Sequence, residues 1–202
     1  MATPKLFEPI QVGGLTLSNR IVIAPMCQYS AVDGQMTDWH LIHLGHLALS
    51  GAAALTIEAS AVEPEGRITY ADTGLWNDAT EAAMARTIES IRRWSDIPLI
   101  IQLAHAGRKA STDVPWEGGE QFPPSHNHGW QTVAPSPIPF ASGEHPPKAL
   151  DHTAMARIRE SFAASAQRAG RLGFDGVQIH VAHGYLLHEF LSPLSNCRED
   201  EY

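Results

Sequence analysis

Two histidines three residues apart, followed at once by a glycine and a tyrosine, make Ile179-His180-Val181-Ala182-His183-Gly184-Tyr185 the segment with the most chemistry in it. It grows out of an apolar run of strand length, Val177-Gln178-Ile179-His180-Val181. Two imidazoles at a strand end can ligate a metal. They can also aim two N–H donors at one oxygen and draw electron density from a bound carbonyl. A zinc or di-metal hydrolase would need a second cluster of carboxylate or histidine ligands, and the sequence offers none. The donor reading therefore ranks first, with the Tyr185 phenol placed to deliver a proton. A lone histidine reads better as a satisfied structural residue, whereas a His-His-Tyr set after a strand favours function.

Three further apolar runs end in groups with chemistry. Ile21–Met26 leads to Cys27 and Tyr29, Ala54–Ala59 contains Glu58, and Leu99–Leu103 contains Gln102 and precedes His105. A thiol, an amide and several imidazoles without a dense carboxylate cluster suit an aromatic cofactor and a polarised carbonyl better than a divalent metal. Cys27, beside Met26, reads on its own as a small core hydrophobe. Gln102 would cost free energy if buried unpaired, so it is expected to hydrogen-bond within the mouth of the sheet. Glu58 is open to a structural ion pair or a site role, the structural one preferred. Trp116 and Trp130 either line a pocket or anchor packing.

The elements that must carry these groups alternate. Leu6–Leu17 reads as a hairpin turning at Gly13-Gly14. Continuous rather than alternating apolar runs predict strands buried on both faces, as in a parallel sheet. Thr37-Asp38 can start a helix with Leu41, Leu44 and Ala48 on one face, stopping at Gly51. Asn77-Asp78 can start a second with Met84, Ile88 and Ile91 in step, and a third begins near Asp151 with Ile158, Phe162 and Ala166 inward and Gly173 near its end. From about residue 108 to 148 the chain is rich in Pro, Gly and His without periodicity, which predicts a capping loop over the third strand. Strand–helix alternation predicts an α/β architecture. The Gly-rich phosphate turn of a doubly wound sheet is absent after the first strand, which reads Ala24-Pro25-Met26-Cys27-Gln28-Tyr29. A (β/α)₈ TIM barrel is therefore expected. Because a complete barrel takes about 250 residues, these 202 are read as one domain carrying roughly its first four βα units.

A net charge of −8 argues against nucleic acid or an anionic membrane surface as partner. No apolar run approaches the roughly 20 residues of a membrane span, and the segment from Met1 shows no signal-peptide core. Cys27 and Cys197 form no disulfide framework or metal spacing, so a cytoplasmic setting is expected.

Leu6-Phe-Glu-Pro-Ile10, Asn19–Tyr29 with its Ala-Pro-Met-Cys core, Glu58-Ala-Ser-Ala61, Gln102-Leu-Ala-His-Ala-Gly-Arg108, Ala134-Pro-Ser136 and His180–Pro193, in that order, resemble the old yellow enzyme family. The Pro-Met-Cys motif with a tyrosine two residues on is similar to the subgroup of xenobiotic reductases and bacterial NADPH dehydrogenases. The resemblance implies FMN held non-covalently by Ala24, Pro25, Met26, Cys27, Ala59 and Gln102, with Cys27 near the reactive edge of the flavin. It thus reverses the core reading of that cysteine. It implies a substrate site of Tyr29, His180, His183 and Tyr185, with the two histidines on the substrate oxygen and Tyr185 as proton donor. NADPH or NADH would reduce FMN, and the flavin would pass hydride to the activated C=C bond of an unsaturated carbonyl or nitro compound. No metal is implied, and a homo-oligomer is expected of the complete protein. The alternative from another class is a truncated, non-catalytic chain serving only as an assembly partner.

Overall fold

The computed structural model describes residues 4–202. Residues 1–3, the start of the segment read above for a leader, lie outside the described residues. The chain opens with an antiparallel hairpin, β1 (Ile10–Val12) and β2 (Leu15–Leu17), with Val12 opposite Leu15. Gly13 takes the left-handed φ of 55° that this two-residue turn requires. Leu17 packs on Ala53 and Ala54, so the hairpin covers one end of the main sheet.

That sheet is built by regular alternation: β3 (Val22–Ile23), α1 (Asp38–Ala48), β4 (Ala54–Ala61), α2 (Asp78–Arg92) and β5 (Leu99–Ala104). After a short pair, β6 (Val133–Ala134) and β7 (Lys148–Ala149), come α3 (His152–Arg171), β8 (Gly176–Ile179) and α4 (Leu186–Leu191). The order β3-β4-β5-β8 is parallel throughout and follows the chain without the reversal that defines a doubly wound sheet. Side-chain caps start the second and third helices where the sequence placed them. Thr80 N–H donates to Asn77 Oδ1 (2.9 Å), and Ala154 N–H to Asp151 Oδ1 (2.8 Å).

The core lies between the sheet and its helices. Leu55, Ile57, Met84, Leu99, Ile101 and Leu103 are fully buried there, with Ile88 and Ile91 of α2 packed against them. Each such side chain contributes roughly 1.5–3 kcal/mol by leaving water.

Four expectations need correction. The strands are not all buried on both faces. β4 is buried along its whole length, but Val177 and Ile179 of β8 are 42% and 44% exposed, and Val22 of β3 is exposed too, because these are the end strands of the described sheet. The first run holds only two residues in the ladder, and Ala24 onward leaves the sheet to form the loop that carries Cys27. Leu41 is exposed. The buried stripe of α1 is His40, Leu44 and Ala48, and a search for apolar periodicity skips its polar first member. The 108–148 segment is not devoid of structure. It opens in a 3-10 turn at Gly107–Lys109 and carries another at Pro115–Glu117, and β6 and β7 pair in parallel through Val133↔Lys148 and Ala134↔Ala149. Ladders of two residues are too short to show a period.

Candidate active site

The C-terminal ends of the four parallel strands place the chemical groups. His180 follows β8, and its N–H donates to Leu103 O (2.9 Å), which anchors it to β5. Its ring Nδ1 accepts the Ala182 N–H at 3.2 Å, so in the neutral ring the proton sits on Nε2. His183 adopts a left-handed φ of 57°, uncommon for a residue with a Cβ, and its Nδ1 lies 3.2 Å from His180 Nε2. Burial first, then the neighbouring His183, holds the His180 pKa below its ordinary value, so the ring is neutral near pH 7. The Tyr185 ring stands 4.8 Å from that of His180. Burial, followed by the nearness of Cys27 and Tyr29, pushes its phenol well up and keeps the proton on oxygen.

Cys27 and Tyr29 reach the same mouth from the loop after β3. Burial, then the charges of Asp72 and Glu58, raises the Cys27 thiol far above its usual range, while the Ala59 N–H directed at its sulfur acts the other way. The group is a thiol, not a thiolate. Tyr29 is pushed up to about 12, chiefly by burial and then by Cys27. Tyr29 meets the edge of Trp116 at 5.8 Å. Trp130 lies elsewhere, lining a separate cleft with Arg67, Tyr70 and His128, its ring beside the Arg67 guanidinium and its Nε1–H donating to Glu65 O.

Gln102 of β5 is aligned with Ala59 of β4 on one side and Gln178 of β8 on the other. Its Nε2 donates to Gln178 Oε1 at 2.8 Å. The amide ladder is therefore a pair, and the sequence reading missed Gln178. An amide one residue before Ile179, in phase with Gln102 across neighbouring strands, was the available signal.

Lys109 was missed as well. Its Nζ donates to His183 O (2.9 Å) and lies 5.2 Å from the Tyr185 ring centre, bracing the strained turn from the end of β5. His105, grouped with Gln102 by sequence, turns away from the mouth. It is buried with Nε2 3.2 Å from Glu63 Oε1. Glu58 is buried and accepts the Gln28 N–H at 3.2 Å. Among the described residues, His180 and His183 belong to no group of three potential metal ligands.

Glu189 of α4 lies beneath the Lys109 loop. Its Oε1 accepts the Arg108 N–H at 2.9 Å, while its buried Oε2 has no partner. Burial pushes this carboxyl up to about 8. The folded state thus holds a proton that the unfolded chain releases near pH 4, so stability falls as pH rises between those values and is level above them. Glu189→Gln keeps an acceptor for Arg108 and removes the titration. It is expected to match the native protein at about pH 4 and to exceed it progressively as pH rises, by about 4 kcal/mol above pH 8 in urea unfolding. An equal difference at both pH values would refute this.

Known proteins resemble the chain in sequence and in fold. The model of the NADH:flavin oxidoreductase / NADH oxidase family matches residues 5–202. An NADH:flavin oxidoreductase of Gibberella zeae is 46% identical over 98% of the chain and 48% of its own length. An NADPH dehydrogenase of Bacillus subtilis is 42% identical over 98% of the chain and 54% of its own length. Among solved structures, morphinone reductase in complex with tetrahydroNAD superposes with a TM-score of 0.82 at 30% identity, covering 99% of this chain and 55% of that one. The Old Yellow Enzyme from Pichia sp. AKU4542 does so at 0.83 and 25% identity, covering 98% and 51%. The chain spans about half the length of the curated relatives it matches. With its family motifs carried on a parallel α/β sheet of the same shape, the chain belongs to the NADH:flavin oxidoreductase / NADH oxidase family.

Proposed function

We propose that this chain forms the substrate-polarising half of an FMN-dependent (β/α)₈-barrel oxidoreductase that reduces the activated C=C bond of unsaturated carbonyl or nitro compounds with NADPH or NADH. The observation that carries the reading is the pair of facing nitrogens, His180 Nε2 and His183 Nδ1, 3.2 Å apart beside a protonated Tyr185.

The residues present fit FMN. Among the described residues, the Gln102–Gln178 pair leaves one amide carbonyl and one amide NH₂ without a protein hydrogen bond, a donor and an acceptor side by side. The pyrimidine edge of a flavin, with alternating carbonyls and N–H, matches that set. Ala24, Pro25, Met26 and Cys27 supply an uncharged shelf, and the Met26 side chain is half exposed there. Ala59 adds backbone polar groups aligned with Gln102. When bound, FMN would supply the hydride chemistry, accepting from the nicotinamide and passing on to the alkene.

The chain's own residues do the rest. Ala182 N–H fixes His180 as an Nε2–H donor, which without substrate faces His183 Nδ1 as its acceptor; a substrate oxygen would replace that bond, with His183 taking the tautomer that carries its proton on Nδ1. Both then point at one substrate oxygen, where negative charge develops as the alkene is attacked. Because burial keeps His180 neutral, its donor strength is constant across neutral pH. Tyr185, its proton held by burial, gives that proton to the α-carbon, and Tyr29 borders the substrate. Lys109 holds the His183 carbonyl so that the ring keeps its direction. A small-molecule substrate, a cytoplasmic setting and pairing of subunits accompany this reading. It is supported by two free cysteines and by the lack, among the described residues, of any helix long and apolar enough to cross a membrane.

The test is the visible spectrum of the complete protein that carries this half, followed by denaturation and identification of what is released. FMN at roughly one equivalent is expected after reconstitution, together with NADPH-dependent reduction of cyclohexenone. Release of FAD, or no flavin after reconstitution, would overturn the proposal.

A further inference from the structure

Glu58 occupies an irregular place in β4. The ladder to β5 pairs Ile57 with Ile101 and then Ala59 with Gln102, so Glu58 is the extra residue of a bulge. Bulges re-aim side chains, and this one directs a carboxyl into the protein. Glu58 and His40 are 2% and 0% exposed, with His40 Nε2 3.7 Å from Glu58 Oε1. Neither His40 Nε2 nor Glu58 Oε2 has a hydrogen-bond partner. His40 Nδ1 accepts the Thr37 N–H at 3.0 Å, so in the neutral ring Nε2 carries the proton and faces the carboxyl.

The two residues hold the loop after β3 from both sides. Glu58 Oε1 accepts the Gln28 N–H at 3.2 Å. Thr37, bonded to His40, donates through Oγ1 to Ser30 O at 3.0 Å. Between those two anchors stands Tyr29, at a left-handed φ of 48° that a residue with a Cβ does not adopt without support. The residue after Glu58 directs its N–H at the Cys27 sulfur. One bulge therefore fixes Cys27, Gln28 and Tyr29 together.

We propose that Glu58 and His40 are a positioning pair that sets where Cys27 and Tyr29 stand at the mouth of the sheet, an inference that rests on reading that mouth as the active site. Neither residue touches the substrate. Their effect passes through the Gln28 N–H and the Ser30 carbonyl.

His40→Gln is the decisive variant. Glutamine at the third position of a helix still reaches back to the N–H of the cap residue, so the start of α1 is kept, while the ring nitrogen facing Glu58 is removed. Alkylation of Cys27 by iodoacetamide, separated by peptide mapping from that of the exposed Cys197, reads the loop with or without flavin. Glu58→Leu, which loses the hydrogen bond to the Gln28 N–H, and His40→Gln, which loses the buried ring facing that carboxyl, are each expected to raise the Cys27 rate on the order of threefold to tenfold, equivalent to about 1 kcal/mol. They should weaken binding of p-hydroxybenzaldehyde by a similar factor, while Glu58→Gln, which keeps an acceptor for Gln28, restores both. If Glu58→Leu does not fold, His40→Gln decides alone. A His40→Gln protein with native Cys27 alkylation would overturn the pair. Failure to bind flavin or phenol in the native protein would instead overturn the functional reading, leaving the alkylation result to judge the positioning.

Discussion

Replacing His180 or His183 by alanine in the flavin-loaded protein is expected to slow alkene reduction on the order of 10²–10³, the usual cost of removing one donor from a developing oxyanion. The geometry says why either loss should be severe. The two nitrogens are 3.2 Å apart, close enough for one oxygen set beside both to accept a hydrogen bond from each, and one ring alone leaves half of that charge unmatched. Since negative charge appears on the oxygen only as the alkene is attacked, the donors act more on the transition state than on the bound substrate. Reduction of the flavin by NADPH places no charge on a substrate oxygen and should change far less. Binding of p-hydroxybenzaldehyde, whose phenolate presents a similar anion, should weaken along with alkene turnover. Stopped-flow measurement of the two half-reactions separates these effects. Equal small losses in both, with phenol binding intact, would make the pair structural. His180→Ala should do further damage that His183→Ala does not, because His180 Nδ1 also holds the Ala182 N–H that shapes the turn.

These residues were legible in the sequence because their signal is local. His180, His183 and Tyr185 sit within one turn after an apolar run, and Cys27 and Tyr29 follow another. The helix starts at Asn77 and Asp151 were equally local, since a cap needs only its own side chain and the next three residues. What stayed hidden depends on partners distant in the chain. Gln178 matters because Gln102, 76 residues earlier, faces it. Lys109 matters because the carbonyl of His183, 74 residues later, lies in its reach. His40 was invisible for a different reason: it fills a core position of α1 with a polar ring, which hydrophobic periodicity treats as surface. Glu58 could be suspected as buried, but its role follows from a bulge that no residue pattern announces.

Glu63→Ala is expected to cost the fold about 3 kcal/mol, the scale for removing a buried carboxylate from the hydrogen bonds that converge on it. Glu63 lies just beyond β4, buried, and three groups converge on it: His105 Nε2 on Oε1 (3.2 Å), and Arg157 Nη1 (2.6 Å) and Ser161 Oγ (3.2 Å) on Oε2. It thus ties the ends of β4 and β5 to α3. The ion pairs that join α2 and α3 through Glu81, Arg168 and Arg171 are also numerous, yet Arg171 is largely exposed, and exposed pairs contribute about 0.2–1 kcal/mol each. Half of the Arg157 side chain is also in water, so most of the Glu63 effect should come from the buried His105. Burial alone would raise the Glu63 carboxyl, but the bonds from His105 and Arg157 outweigh it and hold the pKa below its ordinary value. The sign follows from that depression. The stabilisation is complete above the unfolded value of roughly 4.3 and is lost as pH falls through the lower folded value. Urea unfolding from neutral to acid pH should therefore show the native protein and Glu63→Ala converging on the acid side, with the largest gap near neutrality. A gap that stays constant down to pH 3 would mean that Glu63 stabilises by packing rather than by charge.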